Sequence, residues 1–322
     1  MSDLRVPVLL VIYRRPDETR RVFEAIARAR PARLFIAADG PATPAERDAC
    51  ELTRAAVQHI GWDCNVSRDF SDENLGLDRR MISALNWVFA EEESAIVLED
   101  DCLPGERFFG FCSSLLDRYR DDPRVMHISG ECYRNGRQGD ASYVFSKYPL
   151  AWGWATWRRA WSRFDPHIRD WPGFENAAAA RALFDSQDER AYWLSTFARF
   201  HDEAAAGRPA SWDYAWYFAC MANALSIHPA VNLVSNLGHG PMASHTHEPG
   251  ALADRPIETL EEELRHPGSV VRDRQADMDT FDRRFPGALL KQQRSLRHQL
   301  GRPARWAVRM MRRGLTRDRV DL

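Results

Sequence analysis

Three consecutive carboxylates, Glu99-Asp100-Asp101, follow a short apolar run at residues 95–98. Carboxylates this close repel one another unless a cation intervenes. Such oxygen ligands suit Mg²⁺ or Mn²⁺, with phosphate oxygens and water completing an octahedron. An ion held that way stabilises a diphosphate as a leaving group. The same triplet would also serve as a solvated loop at the start of a helix. A fourth carboxylate, Asp213, lies in Ser211-Trp212-Asp213-Tyr214-Ala215-Trp216, which reads as a helix start capped by Ser211 or Asp213. The histidines His239, His245 and His247 fall in GHGPMASHTH. Their spacing does not put two imidazoles on one helix face, and no Glu accompanies them as in an HExxH site, which argues against a zinc hydrolase.

Eleven tryptophans are present, clustered between Trp152 and Trp216. Most read as core, although indole faces also wall sugar-binding clefts. Gly153, between Trp152 and Trp154, would let the backbone approach a ligand closely.

The elements that must position these residues follow from apolar periodicity. Residues 6–13 (VPVLLVIY) and 33–38 (RLFIAA) read as strands buried on both faces, 65–70 as a weaker strand, and 95–98 and 125–129 as two more. Helices are predicted from Pro16 to Arg30, from Thr43 to about residue 60 with a Thr43/Glu46 capping box, over 77–92, and from the triplet to about Arg120. The alternation predicts an α/β fold with a mostly parallel sheet flanked by helices. Ligands then bind beyond the carboxyl ends of the strands, an address shared by Tyr13-Arg14-Arg15, Asp39-Gly40 and the triplet. Further on, 150–161 is an aromatic block, 188–203 and 212–224 read as helices, 225–228 and 231–235 as a strand-like pair, and 278 onward as helices with a basic face.

A chain of 322 residues suits one large α/β domain with an extension. Residues 291–322 carry ten Lys/Arg against two Asp, a local charge of +8, so the remainder carries −10 of the net −2. No basic face for nucleic acid is evident. The tail, with Arg302, Arg305, Arg309, Arg312, Arg313 and Arg317 among apolar residues, suits an anionic membrane surface or a helix packed on the domain. The six cysteines form no CxxC pair, and neither a signal peptide nor a run long enough to span a membrane is seen. The expected location is cytoplasmic, with peripheral contact at the inner face of the membrane through the tail.

The segment IVLEDDCLPGERFFGF resembles the metal motif of GT-A glycosyltransferases, in the acidic-acidic-Asp form of the N-acetylglucosaminyltransferase-I family. The resemblance extends over residues 6–247 and includes bacterial glycosyltransferase-like proteins that share WGWATW. It implies a Rossmann-like GT-A domain at 1–250, with a nucleotide-binding half at 1–130 and a sugar-binding half at 131–250, and a helical basic extension at 251–322. It implies Asp101 as the direct ligand of Mn²⁺ or Mg²⁺, with Asp100 and Glu99 on the ribose or donor sugar. Tyr13 and Arg14 would face the nucleobase and phosphates, Asp39 the base edge, and Arg80, or its rival Arg79, the diphosphate. WDxxW resembles the segment bearing the general base, so Asp213 would take the acceptor proton, its pKa raised by Trp212 and Trp216; Asp202 and Glu203 are alternatives. Trp152 and Trp154 would touch sugar, and the histidine loop would form a lid, with His245 reaching the metal or the diphosphate.

The expected activity is inverting transfer of a sugar from a nucleotide-sugar, a UDP-sugar foremost, to a saccharide or lipid-linked saccharide hydroxyl. A sugar-1-phosphate nucleotidyltransferase should carry a Gly-rich basic loop after the first strand, and residues 13–16 contain no glycine. A non-catalytic saccharide-binding protein is the other competing reading.

Overall fold

The structure, a computed structural model, describes residues 4–134, 136, 139–208, 211–238 and 254–294. His239, His245, His247 and the basic tail beyond residue 294 lie outside the described residues. The chain runs β1 (Val8–Ile12), α1 (Pro16–Ala29), β2 (Arg33–Ala38), a 3₁₀ turn (Pro44–Glu46), α2 (Arg47–Ala56), β3 (Asn65–Phe70) and α3 (Leu77–Glu91). It continues through β4 (Ser94–Glu99), β5 (Cys102–Pro104), α4 (Phe108–Arg118), β6 (Val125–Ser129), β7 (Tyr143–Ser146) and β8 (Trp154–Trp157). The helices α5 (Arg158–Trp161), α6 (Trp171–Asn176), α7 (Ala178–Leu183), α8 (Gln187–Ala205) and α9 (Trp212–Asn223) follow. The last described elements are β9 (Leu225–Pro229), β10 (Val234–Asn236) and α10 (Arg274–Arg284).

Eight strands form one sheet in the order β3-β2-β1-β4-β8-β6-β9-β7. The first four are mutually parallel, and β6 and β9 point the same way, while β8 and β7 run against them. This is the mostly parallel α/β sheet that the apolar runs predict. Period-two alternation divides its side chains between two cores. Leu10, Ile36 and Leu98 pack with α1 and α4 through Val22, Ile26, Phe111 and Leu115. Leu9, Phe35 and Val97 pack on the other face with α3 and α9 through Met81, Leu85, Val88 and Trp216. An aromatic cluster including Trp171, Trp193, Phe197, Tyr217 and Phe281 joins α6, α8, α9 and α10.

Two expectations change. The strand-like pair is not a hairpin: β9 enters the main sheet, whereas β10 pairs antiparallel with β5, directly after the triplet. The aromatic block supplies β8, inserted between β4 and β6. Among the described residues no helix is long and apolar enough to cross a membrane, and all six cysteines are free thiols.

His127 on β6 is fully buried and held as one neutral tautomer. Its Nδ1 accepts the Trp216 indole N–H at 3.1 Å, so Nε2–H donates to the Leu150 carbonyl at 2.8 Å. Burial pushes its pKa down from 6.5 to about 3, with the nearby His228 adding to the effect. The unfolded chain therefore takes up this proton near pH 6.5 while the folded chain refuses it. The stabilisation is present above pH 6.5 and is lost on acidification at about 1.4 kcal/mol per pH unit. The urea-unfolding gap between wild type and His127→Gln is expected to shrink by about 1.4 kcal/mol between pH 7.5 and 5.5. A constant gap would show that His127 takes up its proton in the folded chain at the same pH as in the unfolded one.

Candidate active site

β4 delivers Glu99 at its carboxyl end, and Asp100 and Asp101 form the turn into β5. Asp100 is buried, and the turn after β1 takes both of its oxygens: Oδ2 accepts the Tyr13 N–H at 2.8 Å, and Oδ1 accepts Arg15 Nη1 at 3.2 Å. Arg15 also pairs with Asp101 Oδ2. One guanidinium thus faces three carboxylates and leaves them under-compensated. Burial, followed by the charge of Asp101, raises the Asp100 pKa to about 7. Glu99 is pushed well above the carboxylate range by burial and by Asp101, Asp100 and Asp213, with Arg15 opposing. The residue that answers the triplet's charge is therefore Arg15, next to the predicted Arg14.

Tyr13 and Arg14 are held at the start of the 3₁₀ turn that follows β2. Glu46 reaches back to the Thr43 N–H as the capping box predicts. Its Oε2 also accepts the Tyr13 hydroxyl at 2.8 Å, and its Oε1 pairs with Arg14. Asp39 is buried beneath this wall. Its carboxylate accepts the Leu75 and Gly76 N–H groups at 2.8 and 3.0 Å, tying the loop before α3 to the end of β2. The close contact of that loop with the backbone explains Gly40, where a Cβ would stand 2.6 Å from the Glu73 carbonyl carbon.

The second half of the site comes from α9. The Ser211 side chain does not cap it, and the first-turn amides are taken by two carboxylates. Asp78, in the first turn of α3, accepts the Trp212 N–H at 2.8 Å. Asp213 takes another. Its Oδ1 accepts the Ser211 hydroxyl at 2.7 Å and the Tyr214 N–H at 2.8 Å, and Oδ2 makes no hydrogen bond with any described residue. Burial raises the Asp213 pKa, while Ser211, the Tyr214 N–H and Arg284 oppose that. Its charge reaches Glu99, so triplet and helix belong to one electrostatic cluster. Asp202 is exposed on α8 beside His201.

Glu131, just past β6, forms the floor on the Trp152 side. It is buried, accepting the Trp152 N–H at 2.9 Å and the Tyr133 hydroxyl at 2.8 Å. Arg284, the last residue of α10, places its guanidinium 4.5 Å above the Trp152 ring. Glu131 lies at the carboxyl end of a strand parallel to β4, so the strand-end rule that singled out the triplet would have found it. Arg284 carries no such sequence signal.

Three expectations are redirected. Trp154 is 1% exposed and stacked between His127 and Trp212, so its ring is core and has no face for a sugar. Gly153 has φ +65°, and a Cβ there would stand 2.7 Å from Val234 Cγ2, so its close approach is to β10. Arg80 is buried and committed to Asp69, on a strand separated from β4 by β1 and β2, while Arg79 is exposed. β10 then carries the chain over the triplet, with the Leu237 N–H donating to the Asp101 carbonyl at 2.7 Å.

The fold and site define an α/β protein with an acidic cluster beyond the carboxyl ends of its parallel strands. The chain matches no protein-family model and no curated protein. It is similar to the solved structure of 4-diphosphocytidyl-2C-methyl-D-erythritol synthase from Anaerococcus prevotii at 8% identity, covering 62% of this chain and 85% of that one with a TM-score of 0.31. It is also similar to a UDP-glucose pyrophosphorylase complexed with UDP-glucose at 9% identity, covering 49% and 79% with a TM-score of 0.28. Likenesses this weak do not extend to activity.

Proposed function

We propose that the chain is a metal-dependent inverting glycosyltransferase of the GT-A type, using a nucleotide-sugar and a saccharide or lipid-linked saccharide acceptor. The observation that carries this reading is that Asp100 and Asp101, at the end of β4, share Arg15 from the turn after the parallel neighbour β1, beyond the carboxyl ends of both strands. A half-buried carboxylate with a raised pKa and one unbonded oxygen stands beside an acidic cluster suited to a cation. The sequence resemblance of residues 96–111 to GT-A metal motifs supports the same assignment.

The donor set fits a hard divalent ion. It is all oxygen, and it sets three carboxyl groups against the single guanidinium of Arg15. Among the described residues no three His, Cys, Asp or Glu side chains converge as ligands. Asp101 would therefore hold Mn²⁺ or Mg²⁺ as its protein ligand, with phosphate oxygens and water filling the remaining positions, and His245 a further candidate. When bound, the ion would neutralise charge on the departing diphosphate. Asp100 braces the Tyr13 turn, and Tyr13 and Arg14 wall the nucleotide side. Asp213 Oδ2 takes the proton of the acceptor hydroxyl as its oxygen bonds to the anomeric carbon. The bond from that carbon to the diphosphate breaks, its electron pair leaves with the nucleoside diphosphate, and the configuration inverts.

Product analysis separates this chemistry from nucleotidyl transfer. With a UDP-sugar and Mn²⁺, the proposal predicts UDP and transferred or free sugar. Sugar 1-phosphate and UTP, formed only when pyrophosphate is added, would overturn it.

Gly238 supplies a second test. A Cβ there would stand 2.0 Å from Asp101 Oδ2, so Gly238→Ala must displace the carboxylate proposed as ligand. Mn²⁺ affinity, followed by electron paramagnetic resonance, is expected to fall roughly 10–100-fold in that variant. Unchanged affinity would remove Asp101 from the ligand set.

A further inference from the structure

Arg284 is the one guanidinium of the site whose geometry the proposed donor does not use. It stacks on Trp152 and, more loosely, on Phe285 at 5.7 Å, and its Nε is buried without a hydrogen-bond partner. It forms no ion pair or hydrogen bond with any described residue, although Glu131 and Asp213 lie within reach of its charge. Those carboxylates have other partners: Glu131 holds Trp152 and Tyr133, and Asp213 Oδ1 holds Ser211 and Tyr214. The buried Nε–H of a planar donor fork therefore stands in the site without an acceptor among the described residues.

α10 is firmly docked, so this placement is not accidental. Asp277 Oδ1 accepts the Ser146 hydroxyl at 2.6 Å, and Arg272 pairs with Asp277 and Asp185. Lys147, fully buried, bonds Glu189 at 2.7 Å and Asp185 at 3.3 Å beside that junction. The site thus holds two cations with different carboxylates to answer. Arg15 acts on Glu99 and Asp100, and Arg284 acts on Asp213 and Glu131.

We infer that Arg284 and Trp152 form an anion subsite on the acceptor side, which binds a carboxylate or phosphate group on the acceptor saccharide. This rests on the glycosyltransferase reading for the word acceptor; the anion subsite itself does not. An arginine fork matches both anions bidentately, and Trp152 keeps the guanidinium flat and partly desolvated. An incoming acid group would supply the missing acceptor atoms.

The probes are glucuronate, glucose 6-phosphate and glucose, titrated calorimetrically into the full chain with and without UDP and Mn²⁺. Wild type is expected to bind at least one acidic sugar about tenfold or more tightly than glucose. The glucuronate and phosphate arms identify which anion is preferred. Arg284→Gln is expected to abolish the preference without altering UDP–Mn²⁺ binding, and Arg284→Lys to retain part of it. Equal binding of acidic and neutral sugars by wild type, or no binding of either, overturns the subsite whatever the variants do. So does a preference that survives in Arg284→Gln. If UDP–Mn²⁺ fails to bind while an Arg284-dependent preference remains, the anion subsite stands and the glycosyltransferase reading falls.

Discussion

Asp213→Asn is expected to lower sugar transfer by roughly 10²–10⁴-fold while the affinity for nucleotide and metal stays near that of wild type. Asparagine keeps the shape and the oxygen that accepts from Ser211 and Tyr214, so the start of α9 is preserved. Asp78 takes the Trp212 N–H independently, so that part of the cap survives as well. What is lost is a base able to hold a proton. The effect should fall on kcat, since an interaction made only in the transition state is removed. Burial raises the Asp213 pKa, so in wild type the acid-side limb, where activity rises with pH, should lie at higher pH than for an exposed aspartate. Steady-state kinetics with a fixed donor would check both points. Full activity of the Asn variant would exclude Asp213 as the base.

Asp101→Ala should be still more damaging, removing metal-dependent nucleotide binding as well as transfer. In wild type Asp101 shares Arg15 with Asp100 and lies beneath Gly238. Without its carboxylate, Arg15 would pair with Asp100 alone, and burial of Asp100 would be better compensated. The variant is therefore expected to be no less stable than wild type in the absence of metal, yet unable to bind donor in its presence. Thermal unfolding with and without Mn²⁺ and UDP would read both effects. Metal-dependent stabilisation equal to that of wild type would contradict the assignment.

The parallel half of the sheet was legible because strands buried on both faces leave continuous apolar runs. Val8–Ile12 and Arg33–Ala38 could hardly read otherwise. Glu46 was legible as a capping box, but not as the clasp on Tyr13 and Arg14, which depends on how β1 and β2 lie side by side. Trp154 was misassigned because an indole that packs on His127 looks, in sequence, like one that packs on a sugar. Its neighbour Trp152 is instead joined to Glu131 through its backbone N–H and lies under the Arg284 guanidinium. β10 was recognised as extended but not as the partner of β5, since a three-residue ladder leaves little pattern. Arg284 was unreadable because only the docking of Asp277 on Ser146 brings it to the site. The triplet itself was found correctly as a strand-end cluster, with its countercharge one residue beyond the predicted Arg14.

The central claim is a cation-dependent nucleotide-sugar site on Glu99-Asp100-Asp101. Its most direct test is a titration of the full chain with UDP-, GDP- and dTDP-sugars in the presence and absence of Mn²⁺. Binding of at least one of them, UDP-sugar foremost, that requires the ion and is lost in Asp101→Ala is the predicted result. No metal-dependent binding of any of the three would contradict it.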